Sequence, residues 1–161
     1  MKSFQSIFRI ILISSITLFA ISCTPTNRYE QWIAQAQTDI RLLPKYSGVV
    51  KTKEYLEIDQ RFIKEVTEQF GTKERASYVH SRWGMDYVRK GDLKTAMYRL
   101  NQAWLLDPKN PETYRGYGYV LANLGAFKPA LDQYNEGLKF APENEEMKRE
   151  RATILQKLKT Q

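Results

Sequence analysis

Two stretches of this chain match when one is shifted by 34 residues. Trp83-Gly84 returns as Tyr117-Gly118, Gly91 as Gly125, Ala96 as Ala130, Leu100 as Tyr134 and Pro108 as Pro142. A fixed period of this size marks a structural unit that buries its apolar side only against a neighbouring copy. The matched positions are small, bulky or chain-breaking in the same order, so one packing arrangement is used twice.

Each matched residue type has a physical reason. Gly84 with Ala96, and Gly118 with Ala130, fall where two helices cross closely and large side chains would push them apart. Gly91 and Gly125 lie just past a helix end, where a left-handed residue is needed. Pro108 and Pro142 end the second helix of each unit, since proline cannot continue it. Asn110-Pro111 reads as a cap followed by proline in the first turn.

The pattern resembles the tetratricopeptide repeat, which places an aromatic, Leu-Gly and Tyr on a first helix, then Ala, an aromatic and Pro on a second. Copy one supplies His80, Trp83-Gly84, Tyr87, Gly91, Ala96, Leu100, Ala103 and Pro108. Copy two supplies Tyr114, Tyr117-Gly118, Leu121, Gly125, Ala130, Tyr134, Gly137 and Pro142. His80 stands where Trp is usual, Trp83 and Tyr117 where Leu is usual, and Gly137 replaces an alanine. The resemblance implies an all-α array of helical hairpins, with full repeats at 77–110 and 111–144. It also implies a groove lined by the first helix of each repeat. By that resemblance the groove residues are Tyr78, Ser81, Met85, Val88 and Arg89, then Glu112, Arg115, Tyr119, Ala122 and Asn123. Such a surface suits an extended peptide or a partner helix; ordinary solvated surface is the alternative. The repeats of the heat-shock-chaperone type clamp a terminal carboxylate with Lys and Asn. Ser81 and Met85 stand at those places here, so that activity is not carried over.

The amino terminus reads as an address. Lys2 and Arg9 precede an apolar run from Ile10 to Ile21, too short for a comfortable membrane span. Leu18-Phe19-Ala20-Ile21-Ser22-Cys23 resembles a bacterial lipobox, with Ala20 departing from the usual Leu. The resemblance implies a signal peptide at 1–22 and acylation of Cys23, the chain's single cysteine, which has no internal disulfide partner. An ordinary cleaved signal and an uncleaved anchor are the alternatives. Thr24, by likeness to lipoprotein sorting in enteric bacteria, favours the outer membrane facing the periplasm.

Residues 23–52 read as a tether and amino-terminal segment, with a helix over Arg28 to Leu43 ended by Pro44, and a turn at Lys45 to Gly48. Thr52 is expected to cap a helix running from Lys53 to Phe70, within a flanking region at 53–76. Its stripe of Tyr55, Ile58, Phe62, Val66 and Phe70 needs a cover, which the first repeat helix would supply. Two repeats fall below the roughly three usually needed for stability, so flanking helices are required. Residues 145–161 read as a capping helix, acidic at its front and basic at Lys157 and Lys159. A fragment of a third repeat is the other reading.

The net charge of +7 falls to +5 once Lys2 and Arg9 are removed with the signal. That is modest, and export separates the chain from nucleic acid. The single histidine, His80, falls at a packing position. No acid–base pair, zinc spacing or phosphate loop stands out, so neither catalysis nor a metal or cofactor is expected. The combined expectation is a lipid-anchored scaffold or assembly factor that holds another envelope protein, in the manner of pilotins and accessory proteins of secretion or outer-membrane assembly. A regulatory adaptor of a cell-wall enzyme is the first alternative, and an enzyme on the repeat scaffold is the second.

Overall fold

The computed structural model describes residues 27–160. The signal segment 1–22, Cys23, Thr24 and the start of the tether lie outside the described residues.

The described chain is all-α, with no strand among its elements: α1 (Arg28–Ala36), α2 (Lys53–Phe70), α3 (Lys73–Arg89), α4 (Leu93–Leu106), α5 (Pro111–Asn123), α6 (Phe127–Phe140) and α7 (Glu145–Lys159). The hairpins α3–α4 and α5–α6 form a tetratricopeptide-type array, with α7 packed on α6. Polar caps start most of these helices. The Thr72 side chain accepts from Arg75 N, Asp92 from Thr95 N, and Asn144 from Met147 N. Asn110 accepts from Glu112 N, with Pro111 in the first turn. Each satisfies a backbone donor that the helix leaves orphaned. Gly91 (φ 78°) and Gly125 (φ 80°) take the left-handed turn that follows α3 and α5.

The small residues permit the crossings. A Cβ on Gly84 would lie 2.7 Å from Leu100 Cγ and 3.3 Å from the Ala96 carbonyl. Gly118 repeats this one period later, against the Tyr134 ring at 2.7 Å. Leu100 and Tyr134 are themselves equivalent, and both are almost wholly buried.

The amino-terminal segment differs from the expected helix over Arg28 to Leu43, because α1 stops at Ala36. Trp32 Nε1 donates 2.8 Å to the Leu42 carbonyl, which draws the chain back on itself. Asp39 then caps a 3-10 turn at Ile40–Leu42. A second turn, Pro44–Gly48, carries Lys45, Tyr46 and Ser47 at positive φ. Such residues cost roughly 1–2 kcal/mol each, so something must hold them. Asn101, fully buried on α4, does so. Its Nδ2 donates to the carbonyls of Arg41 (2.7 Å) and Leu43 (3.0 Å). Its Oδ1 accepts from Lys45 N (2.9 Å) and the Tyr117 hydroxyl (2.6 Å). Residues 27–48 are thus strapped across α4, and Trp32, Ala36 and Leu42 join the core of the first repeat.

α2 has the expected span, and its carboxy-terminal half meets α3. Phe62 and Phe70 approach the His80 ring edge-on at 5.7 and 6.3 Å. The expected cover of its stripe is only half realised, since Tyr55 and Ile58 at the other end stay exposed. Thr52 stands at the cap position without a side-chain bond to the helix backbone, and its side chain instead hydrogen-bonds the Glu54 carboxylate.

Candidate partner-binding face

The first helices of the two hairpins, α3 and α5, lie side by side. A buried polar spine joins them: Ser81 Oγ and Thr113 Oγ1 are 2.8 Å apart, and Asn110 Nδ2 donates to Ser77 and Ser81. Ser77 in turn donates to the Ala103 carbonyl at 2.8 Å. Ser81 is therefore enclosed between helices and is not available to a partner, which corrects its expected place in the groove.

The second copy of the expected groove is also engaged from within. α7 lies against it with two acids one turn apart, Glu146 and Glu150. Arg115 Nε donates 2.9 Å to Glu150, and its guanidinium also pairs with Glu146 and Glu112. The Tyr119 hydroxyl donates 2.7 Å to Glu150, and Asn144 donates to Glu112. These bonds hold the Arg115 guanidinium charged, with a pKa above its ordinary value, the Glu150 hydrogen bond being the main cause. Burial and then Glu150 push the Tyr119 hydroxyl up as well. Arg115, Tyr119 and Glu112 thus fasten the terminal helix, whereas sequence reasoning gave them to a ligand. Asn123 remains exposed and donates to the Tyr119 carbonyl. Ala122 is half-buried beside the second core, and Val88 beside the first.

The open part of the face is α3. Arg75, Tyr78, Arg82, Met85 and Arg89 follow one another at steps of three and four, so they share a stripe. Tyr78 is 51% exposed and Met85 is half-buried. Arg89 pairs with Asp86. The Arg75 and Arg82 side chains are exposed and have no partner among the described residues. Sequence reasoning missed both arginines, although their seven-residue spacing with Arg89 was visible. The stripe offers guanidinium donors for carboxylates beside an aromatic ring and a flexible thioether, which is adaptable apolar contact area.

On its other side α3 is committed to packing. His80 is buried, donates through Nδ1 to Gln102 Oε1 at 3.1 Å, and stands 4.8 Å from the Trp83 ring. Burial depresses its pKa to about 4. Its polar partner is a neutral amide, so it has no carboxylate to orient it for proton transfer. No helix among the described residues is long and apolar enough to cross a membrane.

Comparison with known proteins agrees with this architecture. Residues 87–154 match the family model described as tetratricopeptide repeat. A curated relative, stress-induced-phosphoprotein 1 of Caenorhabditis elegans, is 34% identical over 77 residues, covering 44% of this chain. The match spans only 24% of that relative's length. No solved structure matches the chain significantly.

Proposed function

We infer that this protein is a non-catalytic scaffold that holds an extended segment of another protein against the α3 stripe. The observation that carries the reading is the contrast between the two halves of the face. Arg115 and Tyr119 are taken up by α7, while Tyr78 and Arg82 stand open beside the half-buried Met85, with the Arg82 charge uncompensated. The partner segment would carry acidic and apolar side chains in alternation. The repeat architecture supports a protein ligand, as such arrays present long binding surfaces.

The address carried by residues 1–23 adds a location to this reading. Acylation at Cys23 would tether the scaffold to a bacterial envelope membrane, preferentially the outer one. Acyl chains contribute about 0.8 kcal/mol per buried CH₂. Tethering concentrates scaffold and partner on one surface, so a weak groove suffices.

Capture of envelope proteins by the full chain tests the face. Tyr78→Ala with Arg82→Glu should abolish capture while the helical circular dichroism signal stays unchanged. Capture that survives this pair would remove the α3 stripe from the account. The anchor is tested separately: Cys23→Ser should release the protein from membranes, and continued association would refute acylation as the tether.

A further inference from the structure

α2 is 18 residues long and amphipathic, yet buries none of its residues. Its amino-terminal half and the approach to it hold a cluster of exposed apolar side chains: Val49, Val50, Tyr55, Leu56 and Ile58. Tyr55, Ile58 and Phe62 lie on one stripe at steps of three and four. Only Phe62, against His80, is covered by the rest of the fold.

The charges beside this stripe indicate what covers the remainder. Glu54 and Arg61 are seven residues apart, so they lie on the same flank of the helix, next to Ile58. The salt bridge of that turn joins Lys53 to Glu57, so Glu54 is held only by its own backbone and the Thr52 side chain, and Arg61 is in no ion pair among the described residues. When a helix pairs antiparallel with its own copy about a two-fold axis, each flank faces the same flank of the other copy. Glu54 of one copy then meets Arg61 of the second, and the reciprocal pair forms at the other end. The register that makes both pairs places Tyr55 and Ile58 at the centre of the contact. A parallel pairing would set this flank against the opposite one and bring Glu54 next to Asp59, a like charge. An anionic lipid surface would want a basic rim, whereas this rim mixes Glu54, Glu57 and Glu65 with Lys53, Arg61 and Lys64.

We propose that α2 is a homodimer contact, pairing antiparallel with α2 of a second copy through Tyr55 and Ile58, with Glu54–Arg61 pairs at either end. The contact lies on the side of α3 opposite the Arg75–Arg89 stripe, so a dimer presents two partner-binding faces.

Sedimentation velocity of the full chain in detergent tests it, with circular dichroism to follow folding. The wild-type chain should be a dimer. Ile58→Asp buries an unpaired carboxylate and should weaken association about tenfold or more, with helix content unchanged. Arg61→Glu should also weaken it, and Glu54→Arg combined with Arg61→Glu should restore it. A monomer at all concentrations would overturn the proposal, as would a dimer indifferent to these changes or one not restored by the charge exchange. A monomer that binds anionic vesicles through Ile58 would assign the face to lipid instead.

Discussion

Gly116 leaves the space that Leu100 fills. A Cβ on Gly116 would come within 3.0 Å of Leu100 Cδ1 and closer still to Cδ2, and Gly84 touches the same side chain from the other hairpin helix. One leucine of α4 is thus gripped between glycines of α3 and α5, and the two hairpins stack through it. Gly116→Ala should destabilise the protein by about 1–3 kcal/mol through overpacking. Chemical denaturation checks this, and adding Leu100→Ala should recover part of the Gly116→Ala loss. Strict additivity of the two substitutions would deny the contact.

The terminal helix depends on Arg115. Removing its guanidinium leaves Glu150, itself mostly buried, facing the Tyr119 hydroxyl alone. Arg115→Ala should cost about 2–3 kcal/mol, since breaking a shielded ion pair strands the remaining charge. Amide exchange should quicken in α7 while α3 and α4 keep their protection. Uniform exchange throughout the molecule would show that α7 is not a separate unit.

Stability should rise with pH between about 4 and 6.5. Burial holds the folded-state pKa of His80 down to about 4, against an ordinary value of about 6.5 in the unfolded chain. Across that window the unfolded state binds the extra proton, so folding weakens as pH falls, by roughly 3 kcal/mol at most. His80→Phe should remove this slope, as measured by urea midpoints at successive pH values. An unchanged slope would place its origin elsewhere.

Asn101 should be indispensable to the strap. It supplies four bonds to Arg41, Leu43, Lys45 and Tyr117, and holds three non-glycine residues at positive φ. Asn101→Ala should cost about 3 kcal/mol, because buried partners are left unsatisfied. Protease cleavage near Lys45 should become rapid while the hairpins stay folded.

Periodicity explains which of these relations could be read in advance. Gly84 and Gly118 were legible because each vouches for the other across the repeat, and the same holds for Gly91 with Gly125. Gly116 was not, since its counterpart one period earlier is Arg82 and no symmetry flags it. The end of α1 was hidden because Ile40 and Leu43 continue the apolar spacing, while the bond from Trp32 to Leu42 that ends the helix is tertiary. Asn101 gave a faint signal, a polar residue in line with Leu93 and Met97 on a buried face. Arg115 and Tyr119 occupy surface positions of an isolated repeat, and only the docking of α7 reveals their partners. The half-bare stripe of α2 was foreseen as apolar, but its cover could not be assigned from spacing alone.

Site-specific photocrosslinking in intact cells tests the central claim most directly. A photoreactive residue placed at Tyr78 or Arg82 should trap one defined protein, and the same residue at exposed Lys128 on α6 should trap nothing above background. Equal yields from both faces, or none from Tyr78 and Arg82, would contradict the assignment of the α3 stripe as the partner-binding surface.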